Sequence, residues 1–125
     1  MRRSLRSALL ALAADAVLIL VFAAIGRASH KEAVLPGLLV TAWPFLVALA
    51  LGWLIAQAWR APIAPVRTGL PVWAVTVAGG MVLRGASGQG VQLAFVIVAA
   101  SVLLLLLVGW RAIARLVLRR RPAGV

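Results

Sequence analysis

One carboxylic acid interrupts a long apolar run. Asp15 sits within LLALAADAVLILVFAAI, residues 9–25. A charge inside hydrocarbon costs at least about 2.5 kcal/mol on insertion scales, so such a group must face protein or water rather than lipid. Two kinds of chemistry suit it: relay of a proton or cation, or a hydrogen bond that ties helices together. Asp15 lies about eight residues, or roughly 12 Å at 1.5 Å per residue, inward from the basic end of its run. The same distance inward on the other apolar runs reaches Gly52, Thr76 and Ser101. Two hydroxyls and a gap at one level form a polar layer able to hydrogen-bond Asp15. With no cation beside it, a neutral, hydrogen-bonded Asp15 is the expected state. Ala8, Ala11, Ala23 and Gly26 share its helical face and invite a neighbour to approach closely at the two ends of that face.

A second set of polar side chains gathers at the opposite ends of the runs: Arg27, His30, Thr41, Arg84, Gln89 and Gln92. GRASHKE (26–32) holds the only histidine, His30, the only lysine, Lys31, and one of the two acids, Glu32. Arg27, His30 and Arg84 together would make an anion-attracting vestibule; separately, an arginine there can snorkel outward and a loop histidine can sit in water. His30 with Glu32 gives two metal-ligand types without a third, so no metal site is expected. There is no cysteine, and no nucleophile–base pair or cofactor motif stands out, so neither an enzyme nor a cofactor is expected.

The elements that position these residues follow from the apolar pattern. Of 125 residues 65% are hydrophobic and only 12% charged, which suits lipid as the solvent better than water. The expected fold is all-α, one integral membrane domain of four transmembrane helices forming two hairpins. The spans cover about 9–26, 36–59, 69–84 and 91–113, with a basic tail at 114–125. Each needs roughly 20 residues to cross about 30 Å of hydrocarbon; the third is short and must borrow from its flanks, thin the bilayer or stand upright. Gly26 ends the first span, and Pro36 fits the first turn of the second. RAPIAPVRTGLP (60–71) reads as a stiff, non-helical connection with Thr68 as a cap, and GASGQG (85–90) as a turn.

Net charge is +11, which in a soluble protein would suggest nucleic acid. The distribution points to orientation instead. Arg2, Arg3, Arg6, Arg60, Arg67, Arg111, Arg115, Arg119, Arg120 and Arg121 share one side of a four-span arrangement, against Arg27, Lys31 and Arg84 on the other. Both termini are therefore expected in the cytoplasm, in a multi-pass protein of the cell membrane. Trp59, Trp73 and Trp110 fall near the cytoplasmic helix ends, where indoles favour the interface. The last basic stretch, RAIARLVLRRR (111–121), is an amphipathic extension of the fourth span suited to anionic lipid at that face. Pro44 removes a backbone donor, frees the carbonyl of Val40 and should kink the second span. Pro44, Ala48, Gly52 and Ala56 form a small-residue stripe, and Gly79 with Gly80 does the same on the third span; either suits a bundle neighbour or a second copy of the chain.

Taken as a set, Asp15, IGRASH at 25–30, TAWPFL at 41–46, VWAVTVAGGMVLR at 72–84 and VGWR at 108–111 resemble a family of small bacterial and archaeal membrane proteins, the domain of unknown function DUF3054. The resemblance spans residues 10 to 113. It implies a four-span membrane protein and brings no activity, substrate or cofactor. The matching positions are Asp15, Arg27, His30, Trp43, Pro44, Arg84, Trp110 and Arg111. Two functions compete: a small oligomeric transporter or channel for a proton or small ion, with a path at a subunit interface, and a non-transporting assembly factor or anchor whose basic tail recruits a partner or anionic lipid. Nucleic acid is not an expected partner.

Overall fold

Four helices carry the apolar runs: α1 (Arg2–Ser29), α2 (Val34–Ala56), α3 (Leu70–Ala86) and α4 (Leu93–Arg120). The computed structural model describes residues 2–29 and 33–120, with side chains at 4–28 and 33–120. Each of the four is long and apolar enough to cross a membrane, α3 together with the turn before it. The chain is a multi-pass membrane protein.

The helix bounds differ from the hydropathy limits for local reasons. α1 begins at Arg2 and runs through Gly26 to Ser29. RRSLRSA holds no proline or glycine and consists largely of good helix formers, so nothing stops the helix where the charges begin. α4 likewise continues through the basic segment to Arg120, making that segment one piece with the span. α2 stops at Ala56, three residues before the expected end. Gln57 takes a left-handed conformation (φ 50°) and turns the chain into a 3₁₀ turn at Ala58–Arg60, which leaves Trp59 outside the helix.

The proline-rich connection is not simply extended. Residues 65–69 form one π turn that leads directly into α3, and the two together run 22 residues, Pro65–Ala86. This is how the short third span gains its length. Thr68 does not cap α3; its hydroxyl donates to the carbonyl of Ala61 at 2.5 Å and closes the connection on itself. At the far end, Gly88 (φ 84°) lets the chain reverse. The N–H of Gln89 bonds the carbonyl of Arg84 at 2.9 Å and that of Gly88 bonds Gly85 at 3.2 Å, a Schellman termination that folds residues 87–90 back over Arg84.

α2 and α3 pack most closely, through the residues with the least bulk. A Cβ on Gly80 would strike the ring of Phe45, one on Gly79 would stand 3.0 Å from Ala48, and one on Gly52 would stand 3.3 Å from the carbonyl of Val72. The small-residue stripe therefore packs inside the chain. Pro44 leaves the Val40 carbonyl without its helical donor, as the sequence requires, and Gln89 Nε2 donates to it at 3.1 Å. The buried apolar centre is built from Ile19, Phe22, Ala42, Phe45, Leu49, Trp53, Val72, Ala99, Leu103 and Leu107. The opposite faces expose leucine and valine, among them Leu35, Leu39, Leu54, Val82 and Leu105, as suits contact with acyl chains.

Candidate functional site

Asp15 is fully buried, and so is the cation that meets it, Arg111. The guanidinium grips the carboxylate with two parallel bonds: Nη1 donates to Oδ1 at 2.8 Å and Nη2 to Oδ2 at 2.7 Å. Each carboxylate oxygen accepts one further bond. Trp110 Nε1 donates to Oδ1 at 2.8 Å and Trp53 Nε1 to Oδ2 at 2.8 Å. All four partners are donors, which is what an ionised carboxylate requires. The remaining donors of Arg111 point at backbone: Nε to the carbonyl of Pro62 at 2.9 Å and Nη1 to that of Leu107 at 2.9 Å. One side-chain pair thus joins α1, α2, α4 and the connection before α3.

The helices dictate this meeting. Side chains on an α-helix tilt toward its N-terminus, so Arg111 climbs back along α4, past the Leu107 carbonyl, into the apolar layer. Gly69 makes room for it: a Cβ there would lie 3.3 Å from Arg111 Cδ and 3.3 Å from Val108. The indole of Trp110 stands beside the guanidinium, whose carbon is 4.9 Å from the ring centroid. Burying two charges is costly, and such a pair survives only when every lone pair and proton finds a partner; here the carboxylate is saturated.

The expected polar layer is therefore not the observed one. Ser101 is exposed and donates back to the carbonyl of Ile97 at 2.8 Å within its own helix. Thr76 is buried, but its hydroxyl has no hydrogen-bond partner. Gly52 packs on α3. A neutral Asp15 bonded to hydroxyls is replaced by a carboxylate bonded to Arg111 and two indoles, because the long Arg111 side chain reaches back along α4 toward its N-terminus. Trp73 and Trp110 do not simply float at an interface either; Trp73 Nε1 donates to the carbonyl of Ala100 at 2.9 Å. Trp53 was missed by the sequence reading; the signal that could have found it is that an indole N–H within an apolar run needs an acceptor once buried.

The second set gathers at the other end of the helices. Arg27, on the last turns of α1, donates from Nε to the carbonyl of Ala33 at 2.7 Å and from Nη1 to Thr41 Oγ1 at 3.0 Å. Its guanidinium lies over Gly37, where any Cβ would collide with it. Arg84 does not snorkel freely. Nε donates to the carbonyl of Gly90 at 2.6 Å, Nη1 to Gln89 Oε1 at 3.0 Å, and its guanidinium carbon stands 4.1 Å from the centroid of the Phe95 ring. Both arginines line a cavity of about 430 Å³ that also includes Thr41 and Gln92. His30, Lys31 and Glu32 lie outside the described residues. Among the described residues no three metal-ligating side chains come together.

Three phenylalanines separate the two polar sets. Phe22 meets Phe45 edge to face with centroids 5.5 Å apart, and Phe95 stands 6.3 Å from each. Phe22 lies seven residues beyond Asp15 and five before Arg27, about 10 Å and 8 Å along the helix axis.

The sequence matches the family described as Protein of unknown function (DUF3054) over residues 12–114, most of its length. The chain belongs to the DUF3054 family. No characterised protein and no solved structure matches it. Within this DUF3054 chain, the resemblance had singled out Trp110 and Arg111 alongside Asp15, and the structure brings these three together. Trp43, another such position, is 38% exposed on α2.

Proposed function

We propose that this DUF3054 protein is a non-transporting membrane module: two helical hairpins in the cell membrane, both termini in the cytoplasm, with a basic end that holds anionic lipid. The observation that carries the reading is the saturation of Asp15. A relay carboxylate must exchange partners, whereas this one is held by two bonds from Arg111 and one from each of two indoles. The Phe22–Phe45–Phe95 cluster stands between that pair and the arginines at the other end. The pair serves as a brace between helices.

The basic end is suited to a charged surface. α4 has 28 residues, about 42 Å, against roughly 30 Å of hydrocarbon, so its last eight or so residues extend past the apolar layer. Arg115, Arg119 and Arg120 are exposed there, interleaved with exposed Ile113, Leu116, Val117 and Leu118. Each basic residue near an anionic surface contributes about 1 kcal/mol at most physiological salt.

Spin-labelled phosphatidylglycerol and phosphatidylcholine in reconstituted bilayers test the reading. The wild-type protein should immobilise the anionic lipid preferentially at low salt, and the triple variant Arg115→Gln, Arg119→Gln, Arg120→Gln should lose most of that preference. Equal preference in both proteins overturns the role given to the basic end.

A further inference from the structure

The 430 Å³ cavity between α1 and α4 is an apolar slot closed at one end. Phe22 and Ala23 on α1 and Ala94, Phe95, Val98 and Val102 on α4 form its apolar walls. Ile25 and Val98 at its rim are 57% and 56% exposed, so the opening faces the side of the bundle that meets acyl chains. The wall on α4 runs from Ala94 to Val102, eight residues or about 12 Å along the helix. The volume is nearly three times that of an apolar protein cavity of about 150 Å³, which stays dry and admits benzene.

Rings hold the slot open and arginines close its end. Phe22, Phe45 and Phe95 brace one another, and the Arg84 guanidinium carbon stands 4.1 Å from the Phe95 centroid. Arg84 donates to the Gly90 carbonyl and the Gln89 amide oxygen. Arg27 donates to the Ala33 carbonyl and the Thr41 hydroxyl, and its head lies over Gly37 on α2. Both arginines are further engaged within the chain. The polar end is therefore a plug that the protein makes for itself, and what the slot offers an occupant is hydrocarbon surface. Apolar walls give water too few hydrogen bonds to stay. Left empty, the slot would deprive its lining of contacts on one side. The mouth opens on acyl chains, and an acyl chain is apolar, thin and long enough for such a slot.

We propose that this cavity takes up one acyl chain of a membrane glycerolipid, drawn from the leaflet away from the basic segment of α4 and lying along Phe22, Phe95 and Val98. The chain is recognised by its hydrocarbon, and the charge of the head group plays no part. The site is at the opposite end of the helices from the basic segment, so it stands or falls separately from the role given to that segment.

The test uses the full chain in proteoliposomes with a trace of one of two photoreactive lipids, a phosphatidylcholine or a phosphatidylglycerol, each with a diazirine midway along an acyl chain. Peptide mapping locates the label. Leu54 and Leu105, 64% and 72% exposed and away from the slot, report ordinary contact with the bilayer. Relative to them, residues 22–25 and 94–102 should be labelled in excess, and the excess should be the same for both lipids. Val98→Trp fills the mouth of the slot and should abolish the excess. Ala94→Leu, at another exposed lining position, should abolish it as well, and serves if the first variant does not fold. Leu105→Trp, on the same helix but outside the slot, should leave it unchanged. Labelling of the slot no greater than that of Leu54 and Leu105 overturns the proposal, because the chain then only brushes the surface. An excess confined to phosphatidylglycerol overturns it in favour of a head-group site. Undiminished excess in either folded slot variant overturns the placement of the chain.

Discussion

Replacing Asp15 by asparagine changes almost no volume and removes one charge. In this structure the consequences are specific. One carboxylate oxygen becomes an NH₂ group, a donor, yet every partner around it is already a donor: Trp53 Nε1, Trp110 Nε1 and the Arg111 guanidinium. Arg111, fully buried, then stands without its countercharge. Breaking a buried pair by removing one partner costs about 3–5 kcal/mol, and the same cost is expected for Arg111→Gln. The double variant removes both charges, so its loss should be smaller than the sum of the two, with a coupling of about 2 kcal/mol or more. Equilibrium unfolding by sodium dodecyl sulfate in mixed micelles reads these differences directly. Two of the chain's five tryptophans donate to Asp15, so intrinsic emission follows the site itself. Single losses that add within about 0.5 kcal/mol, or an Asp15→Asn protein as stable as the wild type, would refute the claim that the pair braces the helices.

Other perturbations separate the remaining features by the same unfolding assay. Trp53→Phe should cost about 1.5–3 kcal/mol, the range for a bond to a charged acceptor, whereas Trp59→Phe, with its ring 47% exposed beyond α2, should change stability by less than about 0.5 kcal/mol. Thr76→Val should stabilise the protein by about 1 kcal/mol, because it keeps the shape and removes a buried hydroxyl that has no partner. Gly80→Leu should cost about 1–3 kcal/mol or more as its side chain meets the Phe45 ring. Gln89→Leu should cost about 1 kcal/mol by leaving the Val40 carbonyl, already deprived of its helical donor by Pro44, without Gln89's bond.

The sequence carried more of the fold than of the site. Four apolar runs separated by glycine and proline predict four helices, and the structure has them. The limits were harder to read because hydropathy falls where arginines begin, while helix formation does not: α1 and α4 continue through basic segments made largely of good helix formers. The misplaced partner of Asp15 has a different cause. The count along the apolar runs brings Ser101 to the level of Asp15; a long side chain climbing toward the N-terminus of its helix brings Arg111 there instead. Counted with the basic residues of the tail, Arg111 looked solvated, and no spacing rule distinguishes it from Arg115. The freed Val40 carbonyl was legible, because a proline removes a known donor from a known carbonyl; that Gln89 would answer it, 49 residues away, was not. Arg27 and Arg84 were legible as a pair of cations near one end. Their shared cavity depends on how far α1 and α4 stand apart, which side-chain size sets and sequence periodicity does not.

The most direct measurement of the central claim is ion flux through the wild-type protein in sealed proteoliposomes, with a pH-sensitive dye inside and a potassium gradient imposed. A carboxylate held by Arg111 and two indoles, above which three phenylalanines close together, predicts proton, potassium and chloride fluxes no greater than those of protein-free vesicles. Flux that rises with protein content and disappears in a folded Asp15→Asn variant would contradict it and make Asp15 a transport residue.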